Sequence, residues 1–532
     1  MDTGPAEKER EGLNGLEFFG GSIFVFLAGA FIVFKICMVV SPAYDLGLIP
    51  LGSDLLIRGG LIYRDLHTVM LPGSYFILAA IFLIFGSSML VCQLTLVITI
   101  LTCSLMVLLI GRSFIASAAV FLPPAFLLIL GTFANSYNSH HWDSLLLVLT
   151  YTYLLMSLDW SSSASKNSTL LYSAGMVGGL SVLTYQNQLL PVFAGALALF
   201  LVSCRKVPDM AWRNLTLVTS GLVTVFTLFL AYLIYTGTGQ AMLDNTFFFV
   251  LNRYLSVNQV QYAWSIFESV LVGTTSYPWI VFAALPFGVL KLVPLLVAMG
   301  FFAIFYGQGL KRVKLEELNP KVIFLFLIAF ALWLAEMHKP DLKRLIFGES
   351  LLMICLFYQL SLIQIKPARF LLSGFQIALA LGLAVNAGTI SSFYSGKIPE
   401  YDTARGKVRS LANLTILEEL APLLKPYEML LVYPYDTGIV YLAKVSIPGG
   451  FPVLHYGYHS KDQFEKVLAA LDHNRVRFVI RNLAQDKDLF LESGFQGYRH
   501  PEASSLIMEP YLKKHYKHRA TYSNYELLER LD

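Results

Sequence analysis

The sequence predicts a polytopic α-helical membrane protein with a small α/β domain at its C-terminal end. Of its 532 residues, 56% are hydrophobic and 14% are charged, against about 25% charged in soluble domains. Apolar runs near the roughly 20 residues needed to cross a bilayer recur between Phe18 and Phe393. From Tyr394 onward charged residues become frequent and no run is long enough to span. The chain therefore divides into a membrane domain, 1–393, and a soluble domain, 394–532.

The N-terminal stretch is polar, with Lys8 and Arg10 ahead of an apolar run that has no small-residue cleavage site, so an uncleaved first helix is expected. Spans are predicted near 18–40, 90–110, 114–134, 144–159, 169–185, 189–204, 214–236, 278–306, 321–336, 345–363 and 370–392, eleven in all. Segment 74–86 is apolar but short for a crossing. If it does not cross, the loops holding Arg112, Lys166, Arg205, Lys206, Arg213, Lys311, Arg312, Lys314, Lys366 and Arg369 share one side, which is then cytoplasmic. That choice makes 74–86 interfacial or re-entrant, the N-terminus cytoplasmic and the C-terminal domain extracytoplasmic. The outer loops become 41–89, 135–143, 186–188, 237–277 and 337–344, and they collect the acids, histidines and aromatics. The net charge of +4 matters through this distribution.

All five cysteines, Cys37, Cys92, Cys103, Cys204 and Cys355, fall in apolar runs, so no disulfide framework is expected. In the soluble domain, 429–433, 439–442 and 476–480 read as strands and 461–471 as an amphipathic helix. It carries no Gly-rich phosphate loop and no metal-ligand spacing. His455, His459, His473, His500, His515 and His518 are scattered, which suits a docking or acceptor-binding module.

The stretch Tyr44 to Gly73 is too polar for hydrocarbon, because it holds Asp45, Asp54, Arg58, Arg64, Asp65 and His67. Each such charge at a bilayer centre costs about 2.5–3.5 kcal/mol or more. A helix over 46–59, stopped by Gly59-Gly60, is predicted to lie on the membrane surface and hold two acids and a histidine near one polar site.

Asp45, Gly59, Gly60, Tyr63-Arg64-Asp65 and Pro72-Gly73 resemble the first outer loop of the GT-C glycosyltransferases. The nearest branch is that of the protein O-mannosyltransferases and the lipid A aminoarabinose transferases. Two positions depart from that pattern: Asp45-Leu46 replaces an Asp-Glu, and Leu71-Pro72-Gly73 replaces Pro-Pro-Gly. The resemblance implies transfer of a hexosyl or pentosyl unit, with inversion, from a polyprenyl-phosphate donor to a lipid, glycan or protein acceptor outside a bacterial inner membrane. Nucleic acid is not expected as a partner. No cofactor is certain; a divalent cation, magnesium or manganese, is left open, and no metal ligands are assigned.

Such chemistry needs a base within hydrogen-bond reach of the acceptor hydroxyl and cationic groups on the leaving phosphate. The resemblance implies Asp45 as the base; a helix-capping Asp is the plainer alternative. Asp65 is the second catalytic candidate, against an ion pair with Arg64 or Arg58. Donor phosphate or sugar contacts are expected from Arg58, Arg64, His67, His338, Lys339, Asp341 and Arg344, against ordinary interfacial anchoring. Lys35 either snorkels or meets the carrier phosphate. His140, His141, Asp143 and Gln186 are candidates for an acceptor or sugar rim, and 237–277 for a lid. Adjacent histidines point apart on a helix, so His140 and His141 alone make a poor metal pair. A flippase for lipid-linked sugars and an O-antigen ligase are the competing readings. The first would place charges at the midplane with repeat symmetry, and the second in a late outer loop.

Overall fold

The computed structural model describes residues 15–40, 44–160, 164–257, 262, 280–306, 319–363, 366–434, 436–484 and 506–531. The side chains of 15–16, 44–45, 164–166, 303–306 and 366 lie outside that description. So do Lys8 and Arg10, the 258–261 and 263–279 stretches of the expected lid, Lys311, Arg312, Lys314 and His500.

Helices dominate up to residue 393, and the apolar runs dictate where they lie. Among the described residues six are long and apolar enough to cross a membrane: Glu17–Cys37, Met89–Arg112, Gln186–Lys206, Pro208–Thr236, Ile280–Phe302 and Pro367–Phe393. Leu342–Gly348 and Ser350–Ser361 meet at 61° and make a seventh if the bent pair is one span. The chain is a polytopic membrane protein. The other segments expected to cross are helical but weaker. His140–Met156 and Pro320–Glu336 have 17 residues each. Residues 118–134 join 3-10, α and π turns. Ala164–Thr184 opens on five polar residues from Ser165 to Thr169. On the first helix Phe24, Leu27 and Phe31 are exposed at helical spacing, an apolar face turned outward.

Inside the bundle, small residues let helices touch, as expected where lipid removes the hydrophobic drive to associate. A Cβ on Gly175 would lie 2.0 Å from the Val218 carbonyl oxygen, and one on Gly221 would lie 2.2 Å from that of Tyr172. Helices Ala164–Thr184 and Ala211–Thr236 therefore pack backbone to backbone.

Helix Tyr44–Ile57 ends as its glycines require, with Gly59 at φ +84° and the Gly60 N–H on the Leu55 carbonyl. It does not lie open on a surface. Leu46, Leu48, Ile49, Leu51, Ser53 and Asp54 are all buried. The helix is wedged between Gly73–Phe85 and Thr437–Leu442. The physical reason is its composition: the segment is apolar nearly all round, the pattern of a helix covered on several sides. Gly47 permits the contact, since a Cβ there would stand 2.0 Å from the Thr437 carbonyl oxygen.

Beyond 393 the chain forms two sheets. In the first, β1 (Val39–Val40), just after the first helix, pairs in parallel with β3 (Gly406–Ser410), which pairs antiparallel with β2 (Glu400–Thr403). The second runs β4 (Leu430–Tyr433), β5 (Phe478–Asn482), β7 (Tyr525–Arg530), β6 (Tyr516–Tyr522), with β4 and β5 parallel and the rest antiparallel. Helix Lys461–His473 starts at a capping box formed by Ser460 and Gln463. Residues 439–442, expected as a strand, belong instead to helix Thr437–Leu442. A four-residue apolar run has no period that separates strand from buried helix, and its fit over Gly47 decides.

One apolar cluster joins Leu46, Leu48, Ile49 and Leu51 to Tyr75, Leu78 and Phe82, and to Val408, Leu417, Leu430, Ile439, Leu442, Phe478 and Leu527. The first outer loop and the C-terminal sheets thus share a core. At their seam Asp54, buried, accepts from Arg58 Nε at 3.1 Å and Ser87 Oγ at 2.8 Å, and pairs with Arg405 Nη2 at 2.8 Å.

Candidate functional site

Two polar basins meet at residues 67–70. The first is built by residues 67–70, residues 245–254 and the 451–459 loop. The His67 Nδ1 pairs with the Asn245 side-chain oxygen at 3.0 Å, and the Asn245 amide donates to the Tyr63 carbonyl at 3.4 Å. The His67 ring lies 4.9 Å from Phe451, 5.0 Å from Phe249 and 5.8 Å from His459. His459 in turn lies 6.0 Å from His455 and 4.9 Å from Tyr458. Of the histidines that look scattered in sequence, the fold brings His455 and His459 to His67. Burial lowers His67 and His455 to about 4 and holds His459 well below the usual imidazole range. Desolvation disfavours the charged imidazole, and Lys466 beside His67 and Arg253 beside His459 add to it. A small open cavity is lined by Leu48, His67, Thr68, Met70, Tyr458 and His459, among others.

The second basin lies at the ends of four helices. His141, in the first turn of His140–Met156, brings Nδ1 to 3.6 Å from Oε1 of Glu336, the last residue of Pro320–Glu336. Glu336 is fully buried, and neither carboxylate oxygen has a hydrogen bond. His338 meets the Tyr185 hydroxyl at 3.3 Å and the Asn187 amide at 3.2 Å. Burial, then the Arg344 charge, lowers its imidazole to about 4. Asp341 caps Leu342–Gly348 through the Arg344 N–H and pairs with the Arg344 guanidinium at 2.6 Å. Arg344 Nε is buried without a hydrogen bond. Lys343 donates to the Tyr137 hydroxyl. The basins touch where the Gln186 amide donates to the Val69 carbonyl at 3.3 Å.

The expected residues fall into distinct settings. Asp45 stands one turn before Leu48 in helix Tyr44–Ile57, its side chain outside the described residues. Asp65 accepts from Arg64 at 2.8 and 2.7 Å and from the Leu61 N–H at 2.9 Å, and the Arg64 guanidinium holds its carboxyl below the usual range. Arg64 is largely exposed. Arg58 is taken up by Asp54 and stacks 4.1 Å over the Tyr427 ring. His140 lies 5.0 Å from Tyr185, while Asp143 sits half-buried in the first turn of its helix. Lys339 is half-buried after Glu336, its N–H on the Glu336 carbonyl. Lys35 donates to Ser391 at 3.3 Å. Glu336 was not singled out in the sequence; the signal for it was a lone acid at the polar end of an apolar run. Among the described residues no three His, Cys, Asp or Glu side chains gather as a cation site.

No family model matches the chain, and no curated protein matches it by sequence. Solved structures do. ArnT from Cupriavidus metallidurans bound to undecaprenyl phosphate superposes with a TM-score of 0.55 over 96% of this chain and 98% of that one, at 12% identity. Archaeal oligosaccharyltransferase AglB from Archaeoglobus fulgidus, in complex with an inhibitory peptide and a dolichol-phosphate, gives 0.51 over 94% and 74%, at 12% identity. Arabinofuranosyltransferase AftD from Mycobacteria gives 0.52 over 96% of this chain and 40% of its own length, at 12% identity.

The fold is that of the GT-C glycosyltransferases. Helix Tyr44–Ile57 and the His67 basin lie where the helical bundle meets the C-terminal part of the chain.

Proposed function

We propose that the chain transfers a hexosyl or pentosyl unit from a polyprenyl-phosphate donor to an acceptor on the outer side of a bacterial inner membrane. The observation that carries this reading is the superposition, along nearly the whole chain, on ArnT bound to undecaprenyl phosphate. In this reading the membrane domain is 1–393 with eleven crossings, the N-terminus cytoplasmic, and 394–532 is extracytoplasmic. The basic residues at one set of helix ends support that orientation, Arg112, Arg205 and Lys206 among them.

Asp45 takes the proton of the acceptor hydroxyl while that oxygen bonds to the anomeric carbon. The bond from that carbon to the phosphate oxygen breaks, and polyprenyl phosphate leaves. Arg344, with its open Nε, and Lys339 receive the phosphate charge. Arg58 is spoken for by Asp54, and Arg64 with Asp65 stands at the exposed rim. Glu336 accepts hydrogen bonds from donor-sugar hydroxyls, with His141 holding it in place; His140, Asp143 and Gln186 complete the rim. No step is routed through a metal. A magnesium or manganese ion would find Glu336 as its carboxylate and would draw its remaining ligands from water and substrate phosphate.

The test is turnover of a radiolabelled polyprenyl-phospho-sugar by the reconstituted protein, with and without a chelator. Asp45→Asn is expected to lower transfer by about 10²–10⁴-fold with folding intact. A transport reading is favoured by one feature: buried Glu349, its carboxylate without a hydrogen bond, at the 61° break between Leu342–Gly348 and Ser350–Ser361. Movement of intact lipid-linked sugar across vesicles, undisturbed by Asp45→Asn, would decide for transport.

A further inference from the structure

Three cationic side chains converge on the ring of Tyr427. The Arg58 guanidinium lies 4.1 Å from its centre, Lys444 Nζ 5.3 Å and the Arg405 guanidinium 5.9 Å. They come from distant stretches of chain, and Asp54 is the one carboxylate that pairs with any of them among the described residues. Arg405 is used up: Nε donates to the Tyr441 carbonyl at 3.1 Å, Nη1 to Ser87 and Nη2 to Asp54. Arg58 is only half used. Its Nε serves Asp54, and its Nη1 and Nη2 make no hydrogen bond among the described residues. Lys444 is half-buried, and its Nζ has no ion pair there either. Glu428, next to Tyr427, turns its carboxylate onto the Lys425 N–H at 3.0 Å.

The backbone fixes this grouping. Tyr427 and Lys444 have φ of +66° and +54°, values that side chains rarely adopt. The Tyr427 N–H donates to the Lys444 carbonyl at 2.7 Å, which ties the ring and the lysine together. Two like charges held beside one ring stand closer than the Debye length of about 10 Å at 0.1 M salt, so their repulsion is little screened. The ring face offsets part of it, and an anion shared by the two offsets more.

The surroundings say which anion. Ser87 lies in the turn between Gly73–Phe85 and Met89–Arg112, and it donates to Asp54 at 2.8 Å. Met89–Arg112 is long and apolar enough to cross a membrane, and Leu90, Leu94 and Ile98 are exposed on it at four-residue spacing. Ile84 and Phe85, just before the turn, are exposed as well. A lipid-facing stripe thus starts beside Ser87, with unspent cations at its head. A phosphate that carries acyl chains fits that order. A soluble phosphate makes no use of the stripe, and a zwitterionic headgroup brings a cation of its own. Arg58 follows the far end of the helix that carries Asp45, about 20 Å along its axis.

We propose that Arg58, Lys444 and the Tyr427 ring bind the phosphate of an anionic membrane phospholipid whose acyl chains lie along Leu90, Leu94 and Ile98. This site is separate from the one where Asp45 acts, and its lipid ties the seam around Asp54 to the bilayer surface.

The experiment is thermal unfolding of the full-length protein in mild detergent, titrated with phosphatidylglycerol, phosphatidylcholine or inorganic phosphate. Phosphatidylglycerol is expected to raise the melting temperature saturably. Phosphatidylcholine and inorganic phosphate are expected not to, and inorganic phosphate is expected not to displace the lipid. Lys444→Asn removes the charge and leaves a residue that tolerates left-handed backbone. It is expected to raise the half-saturating phosphatidylglycerol concentration about fivefold, the worth of one cation at a membrane surface. Arg58→Gln is expected to act in the same direction and gives a second reading should the first variant misfold. Lys514→Asn, exposed in helix Met508–His515, is expected to leave the titration unchanged. No saturable stabilisation, an equal effect of phosphatidylcholine, or titrations unchanged in both folded variants each overturns the proposal. Displacement by inorganic phosphate makes the ligand a soluble anion, and a matching loss in Lys514→Asn makes the attraction one of bulk charge; either result overturns it too.

Discussion

Asp54 and Glu336 are both fully buried carboxylates, and the fold treats them in opposite ways. Asp54 is saturated: Arg58, Arg405 and Ser87 all reach it, within 3.1 Å. Among the described residues Glu336 has His141 at 3.6 Å, with Arg344 and His338 near enough to act on its charge, and both its oxygens lack a hydrogen bond. A buried acid fully met by its neighbours holds elements together. A buried acid left short of partners is one whose partner arrives with a ligand, because an unmet charge in a dry site is costly to keep. The seam around Asp54 is therefore read as structure, and the basin around Glu336 as the working surface.

The comparison can be broken most forcefully at the seam. Arg405→Ala leaves Asp54 and Ser87 short of partners in the buried core, and it is expected to destabilise the fold by about 3–5 kcal/mol. Thermal unfolding in detergent checks this; a melting point equal to wild type would make the seam incidental. Glu336→Gln is expected to behave in reverse. It removes a buried carboxylate whose oxygens have no hydrogen bond, so the melting temperature holds or rises, while sugar transfer falls by about 10-fold or more as a charge-assisted hydrogen bond becomes a neutral one. A drop in melting temperature with transfer intact would exchange the roles assigned to the two acids.

Acid should probe the His67 basin next. His67, His455 and His459 have folded values depressed from 6.5, the first two to about 4. Between those limits the unfolded chain binds more protons than the folded one, so stability rises with pH there. Their contribution is whole above about pH 6.5 and is lost as pH falls toward 4. Lys466 and Arg253 flank the rings and sharpen the effect. Melting temperature measured from pH 7 to 4.5 should fall, and His459→Phe should flatten the fall. The smallest effect is expected at the rim, where Arg64→Ala removes an exposed pair with Asp65 and should leave the melting temperature close to that of wild type. A loss of several °C in the same melt would mean that the loop depends on that pair.

The membrane class, the positions of the apolar helices and the polar stretch after the first one follow from the sequence alone. Hydropathy is a sum over neighbouring residues, and a run from Met89 to Arg112 carries its own signal. Gly59 and Gly60 end their helix by the same local logic. The motif around Asp45 and Tyr63-Arg64-Asp65 carries the resemblance to the GT-C fold in the local sequence. What remained to the tertiary structure was every contact made across long stretches of chain. Gly47 beneath Thr437, Arg405 on Asp54, Val39 beside Arg409 and His459 facing His67 join residues hundreds of positions apart, and no local pattern encodes such pairs. For the same reason 439–442 reads locally as a strand, His455 and His459 as scattered, and Glu336 is not singled out. Burial and partnership are properties of a packed neighbourhood, and that exists only once the chain has folded.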